Sequence, residues 1–282
     1  MSFDTPILFT IYKRPGVTQL AFNAIRKISP KYLYVSADGP KSGEEEKCKA
    51  ARDVIEQVDW DCFLYKNYQS SNLGGKWGGY SGIDWFFHNV DEGIILEDDD
   101  IPDITFFHFC ETLLKKYRND MRIGTISGDN FQFGNNQTGN SYYFSKYLHG
   151  WGWATWGRVW EKFDINMKEW PGTREQDILG DFTDDPREPV FWKATWDRMC
   201  AGDPSAWDYQ FCYHLWKNKM LSILPSINLV TNLGDGIDST HAMNANPMVN
   251  QPRRQMGFPL KHPTVIERLR KADLYTTQRF YL

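Results

Sequence analysis

Over the first 130 residues, short apolar runs alternate with segments whose apolar residues recur at helical spacing. That alternation limits the fold more than any other feature of the chain. "PILFTIY" (Pro6–Tyr12) predicts a strand, and Pro15 follows where a first helical turn tolerates proline. Val17, Leu20, Ala21, Ala24, Ile25 and Ile28 then recur with helical period. "YLYVSA" (Tyr32–Ala37) predicts a second strand that ends at the turn signal "DGP". A polar helix over Glu44–Val58, a short strand over Cys62–Asn67 and a helix over Lys76–Asn89 come next. The apolar "GIIL" predicts a fourth strand, followed by a helix with Phe106, Phe107, Cys110, Leu113 and Leu114 on one side, and then "IGTIS" (Ile123–Ser127). This rhythm predicts an α/β fold with a mostly parallel central sheet flanked by helices.

Such sheets bind ligands beyond the carboxyl ends of their strands. Two acidic features fall there: Asp38, and the run "EDDDIPD" (Glu97–Asp103) behind "GIIL". Adjacent carboxylates repel one another unless a cation or hydrogen bonds compensate, and hard divalent cations prefer oxygen ligands. The competing reading is an acidic lead into the next helix, since carboxylates favour helix N-termini. On the run alone the two readings stand side by side. If extended geometry persists past Leu96, Glu97 and Asp99 share one side and Asp98 and Asp100 the other. Pro102 is expected to stop sheet pairing. Asp38 has a plain turn reading of its own, because Asp-Gly is a common turn pair. Arg14, just past the first strand, is either a phosphate contact or a surface cation. "NLGGKWGG" (Asn72–Gly79) opens a helix with glycines that permit close backbone approach, and Asn72 and Lys76 join the candidate nucleotide-binding set. It fits neither the dinucleotide fingerprint nor the P-loop.

The second half is less regular. A Gly/Asn-rich loop precedes "HGWGWATWGRVW" (His149–Trp160), where Trp153, Trp156 and Trp160 have helical spacing. At least two of these three are expected in the core, whereas Trp151 and Trp153, near glycines, are candidates for stacking on a sugar. Helices are predicted over Glu188–Met199 and Ser205–Lys217, then a strand-like "MLSILPSINLV". No linker or internal repeat divides the chain, so a single domain over residues 1–282 is expected, with a nucleotide-binding half (1–130) and an elaborated acceptor half (131–282).

Composition narrows the class. With 41% hydrophobic and 24% charged residues and a net charge of −4, nothing favours a nucleic-acid surface. No apolar run reaches the ~18–20 residues of a membrane span, and the start lacks a signal-peptide pattern. Five cysteines without CxxC spacing argue against a disulfide framework or a zinc site and fit a reducing cytoplasm. Peripheral membrane association stays open, and oligomeric state is not legible.

Taken together, "Y-K-R-P" (Tyr12–Pro15), "YVSADGP" (Tyr34–Pro40), "NLG" (Asn72–Gly74), "GIDWFF" (Gly82–Phe87) and "IILEDD" (Ile94–Asp99) resemble the nucleotide-sugar glycosyltransferases of the GT-A fold, in particular the bacterial family-2-like or hemolytic-protein-like group. The order is also similar to the N-acetylglucosaminyltransferase I family through Arg14, Asp38, Glu97–Asp99 with Phe106–Phe107, Gly150–Trp153 and Trp207–Asp208. The likeness covers residues 6 to 241. It implies transfer of a sugar from a nucleotide-diphosphate donor, with UDP as the expected carrier, to a glycan or glycoconjugate hydroxyl, with Mn2+ or Mg2+ as cofactor. Asp38 would contact the base and Arg14 the diphosphate. Asp99 would ligate the metal, and Glu97 and Asp98 would shape the ribose and donor-sugar contacts. Asp208 would be the base of an inverting reaction, a role lost under a retaining mechanism, and His241 a second metal ligand ahead of Asp235 and Asp238. Asp100 departs from the pattern, which often has an apolar residue there. A sugar-nucleotide nucleotidyltransferase or hydrolase, or a non-catalytic carbohydrate-binding module, are the alternatives.

Overall fold

A computed structural model describes residues 3–135, 138–176, 178–234 and 247–282. Ten strands are assigned among them: β1 (Ile7–Ile11), β2 (Tyr32–Ala37), β3 (Phe63–Tyr68), β4 (Glu92–Glu97), β5 (Asp100–Pro102), β6 (Ile123–Ser127), β7 (Tyr142–Ser145), β8 (Trp153–Trp156), β9 (Leu221–Pro225) and β10 (Val230–Asn232). The helices are α1 (Pro15–Ile28), α2 (Glu45–Asp53), α3 (Gly74–Phe87), α4 (Ile104–Tyr117), the short α5 (Gly157–Trp160) and α6 (Trp170–Thr173), α7 (Glu188–Cys200), α8 (Asp208–Lys217) and α9 (Arg270–Phe280).

Eight strands form one sheet in the order β3-β2-β1-β4-β8-β6-β9-β7. β3, β2, β1 and β4 are parallel neighbours; β8 runs antiparallel to both β4 and β6, which restores β6 and β9 to the common direction. β7 is antiparallel to β9 at the far edge. The carboxyl ends of β1, β2, β4 and β6 therefore share one edge of the sheet. The buried central strands read as continuous apolar runs because both faces are covered.

Three expectations need correction. Trp153, Trp156 and Trp160 do not lie on one helix. Trp153–Trp156 is a strand buried on both faces, which carries no alternation to betray it, and Trp160 closes the short turn α5. Pro102 does not end pairing; it stands opposite Val230 in a two-stranded ribbon of β5 and β10. Its missing N–H is tolerated because β5 has a partner on one side alone. The stretch expected as one strand, "MLSILPSINLV", divides into β9 in the large sheet and β10 in the ribbon.

Helices hold the site edge in place. Pro15 opens α1 and Ser29, in the left-handed region at φ 49°, closes it. Asp103 caps α4 by accepting from the Thr105 N–H at 2.9 Å. The end of the acidic run thus plays the helix-leading role that the sequence left open. In α3, Gly82 lies so close to β2 that an added Cβ would stand 2.6 Å from Ser36 Oγ.

Candidate active site

Past β4 the chain does not stay extended: Glu97 ends the strand, Asp98 and Asp99 form a turn, and Asp100 begins β5. The expected side-by-side alternation is corrected accordingly, because Asp98 and Asp99 both turn toward Arg14 at the end of β1. One guanidinium nitrogen of Arg14 donates to Asp98 Oδ1 and, at 2.9 Å, to Asp99 Oδ2. These carboxylates raise the Arg14 pKa against the opposing effect of burial, so the guanidinium stays charged. Arg14 meets two of the four adjacent carboxylates directly. Burial and neighbouring negative charge push Glu97 and Asp100 well up from the usual range, and burial pushes Asp98 up to about 6 against the pull of Arg14. Asp98 Oδ2 is buried and has no hydrogen-bond partner among the described residues.

Asp100 is fully buried, and both of its carboxylate oxygens are engaged within the protein. Its Oδ2 accepts from the main-chain N–H of Glu97 at 3.0 Å and Gly152 at 2.8 Å, and its Oδ1 from the Asn232 amide at 3.1 Å. It ties the acidic turn, the tryptophan-rich segment and β10 together. Asn232 also donates to Asp99 Oδ1 at 3.1 Å, and the Gly234 N–H donates to Asn232 Oδ1 at 2.8 Å. An added Cβ on Gly234 would come within 3.0 Å of Asp99 Oδ2, so glycine permits that approach. Nothing in the sequence around Asn232 or Gly234 pointed to this role.

Asp38, at the end of β2, spends its carboxylate on the loop that opens α3. Oδ1 accepts from the N–H groups of Gly39 and Leu73, each at 2.8 Å; Oδ2 accepts from the Asn72 amide at 2.8 Å and the Gly74 N–H at 3.2 Å. Gly74 needs its φ of 78°, which favours glycine. Lys76 is buried in the first turn of α3. Arg14, Asp38, Lys41, Asn72, Glu97, Asp98, Trp207 and the glycines Gly74, Gly75, Gly78 and Gly79 line a common cleft of about 190 Å³. The structure therefore brings Arg14, Asp38, Asn72, Glu97 and Asp98 to one cleft, with Asp99 bound to its arginine.

Trp207 is buried and stacks on Trp153, with ring centroids 5.6 Å apart. Asp208, next in sequence, opens α8 as an exposed carboxylate whose Oδ1 accepts from the Tyr209 N–H at 3.0 Å. Trp153 is 1% exposed, so it is a core residue and not an open sugar platform; Trp151 is half-buried. His241, Asp235 and Asp238 lie outside the described residues.

A larger cavity, about 790 Å³, opens at the opposite edge of the sheet among Tyr32, Tyr34, Glu92, Arg118 and Arg158. Its cations are already engaged: Arg118 pairs with Glu92 at 2.6 Å, and Arg158 donates to the main-chain carbonyls of Tyr117, Arg118, Asp120 and Ile123. The smaller cleft at the carboxyl edge holds the convergent chemistry.

No protein-family model matches the chain. No curated protein matches it either. Among solved structures it is similar to residues 1–349 of S. aureus TarS, at 10% identity and a TM-score of 0.47, over 78% of this chain and 58% of that one. A mannosyltransferase from Pyrobaculum calidifontis in complex with GDP-Man and Mn2+ is similar at 11% identity and a TM-score of 0.43, over 75% and 69% of the two chains. A UDP-glucose pyrophosphorylase complexed with UDP-glucose follows at 10% identity and 0.39, over 79% and 90%. The chain thus spans 58% of the length of the TarS fragment.

A divalent cation suits the oxygen donors of the acidic turn. Among the described residues no three His, Cys, Asp or Glu side chains converge to hold a metal by themselves. The free Asp98 Oδ2 beside Asp99 fits a hard ion that takes its remaining ligands from phosphate and water. No helix among the described residues is long and apolar enough to cross a membrane.

Proposed function

We propose that the chain is a glycosyltransferase of the GT-A type that moves a sugar from a nucleotide-diphosphate donor to a hydroxyl of a glycan or glycoconjugate. The observation that carries this reading is the carboxylate turn Asp98–Asp99 held by Arg14 beside the glycine-lined start of α3. Excess negative charge at a buried strand end calls for a cation, and a diphosphate supplies charge and ligands that complete such a site.

Asp99, with Asp98 beside it, would hold Mn2+ or Mg2+. The bound cation would neutralise charge that develops on the departing diphosphate. Arg14 places a second positive charge at the same point and keeps the two carboxylates aimed together. The Asp38-fixed loop and the α3 N-terminus offer main-chain N–H groups and positive dipole to the nucleotide, with Asn72 and Lys76 in the same segment. Glu97 borders the donor-sugar side. Asp208, exposed next to the cleft-lining Trp207, would take a proton from the acceptor hydroxyl in an inverting displacement. Half-buried Trp151 is the aromatic face available to a sugar ring. UDP-sugars are the first donors to test.

A panel of nucleotide sugars is assayed for Mn2+-dependent release of nucleoside diphosphate. Asp99→Ala is expected to lose at least 100-fold in rate, and Asp208→Asn to bind donor yet lose transfer. Wild-type rates in Asp99→Ala would sink the metal assignment, and wild-type transfer in Asp208→Asn would remove Asp208 as base. Nucleoside monophosphate or pyrophosphate among the products would point instead to nucleotidyl transfer or hydrolysis, and tight donor binding without any product to a binding module.

A further inference from the structure

Two strands beyond the acidic turn, the same sheet edge carries a buried pair that the proposed chemistry has not used. Asp129 lies two residues past β6. His149 is brought to it by a reciprocal pairing in which Ser127 Oγ donates to the His149 carbonyl at 2.8 Å and accepts from the His149 N–H at 3.3 Å. His149 Nδ1 then meets Asp129 Oδ1 at 2.5 Å. Both side chains are almost completely buried, His149 at 4% and Asp129 at 1% exposure. Burial pushes the Asp129 carboxyl up and the imidazole opposes that shift, while the Trp151 main-chain N–H also faces the carboxylate.

The other ring nitrogen, Nε2, is buried without any hydrogen-bond partner among the described residues. A buried polar atom left unpaired is costly, and native structures keep one where a ligand, an ion or a water completes it. With Asp129 accepting at Nδ1, the neutral ring carries its proton there and Nε2 is left as an acceptor. The surroundings suit a sugar. Phe131 stacks on the imidazole with centroids 4.5 Å apart, and half-buried Trp151 meets Phe131 edge-on at 5.2 Å. Three residues beyond His149, the Gly152 N–H is bound to Asp100, so one short segment joins this pair to the acidic turn.

We propose that His149, oriented by Asp129, binds the incoming saccharide by accepting a hydrogen bond from its hydroxyl at Nε2. This rests on the sugar-transfer reading above. His149 is the contact residue and Asp129 a positioning residue acting through it; Asp208 is a separate, solvent-facing carboxylate.

The test uses the whole chain with the donor that gives turnover and a panel of glucose, galactose, N-acetylglucosamine and lactose as acceptors. Three variants are compared. His149→Asn puts its amide near Nδ1 and loses the Nε2 position, whereas His149→Gln can return an oxygen close to Nε2. Asp129→Asn keeps the shape but can turn an amide N–H toward Nδ1, which moves the ring proton to Nε2. His149→Asn and Asp129→Asn are expected to lower kcat/KM for acceptor about tenfold or more, the size of one lost hydrogen bond in a buried site. His149→Gln should recover to within about threefold. Donor hydrolysis to water and nucleotide affinity should stay at wild-type values in all three. Imidazole nitrogen spectra of the wild type at pH 7.5 should show the Nδ1-protonated neutral tautomer, and Asp129→Asn should change it.

An Nε2-protonated or doubly protonated ring in the wild type overturns the proposal. So does acceptor kcat/KM in His149→Asn within threefold of wild type, which would assign Nε2 to a buried water alone. A joint fall in nucleotide affinity and acceptor rate would mark structural damage and also refute it. If the sugar-transfer reading itself fails, the wild type releases no nucleoside diphosphate and this proposal falls with it; if this proposal alone fails, the wild type releases it and His149→Asn matches the wild type.

Discussion

Among the four adjacent carboxylates, position decides role. Asp98 and Asp99 accept from Arg14, Glu97 borders the cleft, and Asp100 is spent on three donors that hold the turn in shape. Replacing Asp100 by Ala takes the acceptor from the Glu97 and Gly152 N–H groups, and is expected to cost about 3 kcal/mol. Urea unfolding measures that cost, and nucleotide affinity should fall with it because the turn loses its anchor; unchanged stability would remove the structural role. The sequence announced the charge but not its division, since neighbouring side chains are sorted by a turn that distant partners, Gly152 and Asn232 of β10 among them, hold in shape. Asp38 was legible as a strand-end residue, yet its three hydrogen bonds to the α3 loop rest on a closure between residues 38 and 72–74 that no local pattern encodes. Asp129 and His149, 20 residues apart, carried no signal in their own segments.

At the scale of elements, α3 bears on β2 through Gly82 and aims its N-terminus at the cleft. An exposed helical Gly→Ala change stabilises by up to about 1 kcal/mol. Here the new Cβ would stand 2.6 Å from Ser36 Oγ and 2.9 Å from Ser36 Cβ, so Gly82→Ala should instead destabilise by about 1–3 kcal/mol. A thermal unfolding midpoint at or above that of the wild type would show that α3 shifts freely. Strands and helices of the first half were legible because each segment's period is local: Tyr32–Ala37 and Ile123–Ser127 fall at the bounds that alternation and turn signals predict. β8 was not. Trp153, Trp156 and Trp160 recur at helical spacing, but the first two occupy a strand between β4 and β6 whose pairing, not its own residues, sets its conformation.

Across the whole molecule, one continuous set of buried side chains runs from Phe3 to Leu260, and the second half is braced by buried charge. Lys146 pairs with Glu188 at 2.8 Å, and Arg268 joins Asp184 and Asp273, so the end of β7, the start of α7 and α9 share one ionic network. His214 on α8 adds a pH dependence. Burial lowers its pKa to about 4, beneath the 6.5 of an exposed ring. The unfolded chain therefore takes up the proton first as pH falls, and the stability His214 contributes, complete above pH 6.5, is lost toward pH 4. Between pH 7 and 5 its share is about 2 kcal/mol. His214→Gln should flatten that part of the urea-midpoint profile, and an unchanged slope would assign it to other groups.

The ribbon of β5 and β10 has a consequence for the order of assembly. Asp99 and Asp100 share a side-chain donor, Asn232, that lies 133 and 132 positions further along. During synthesis the parallel strands β1 to β4 can pair early, while the acidic turn waits, its charges uncompensated by that amide, until the last fifth of the chain emerges. A chain stopped before β10 would keep its first strands and helices and still lack a finished site. Closing so long a loop is slow, so the edge that carries the acidic turn is the late-forming part of this protein.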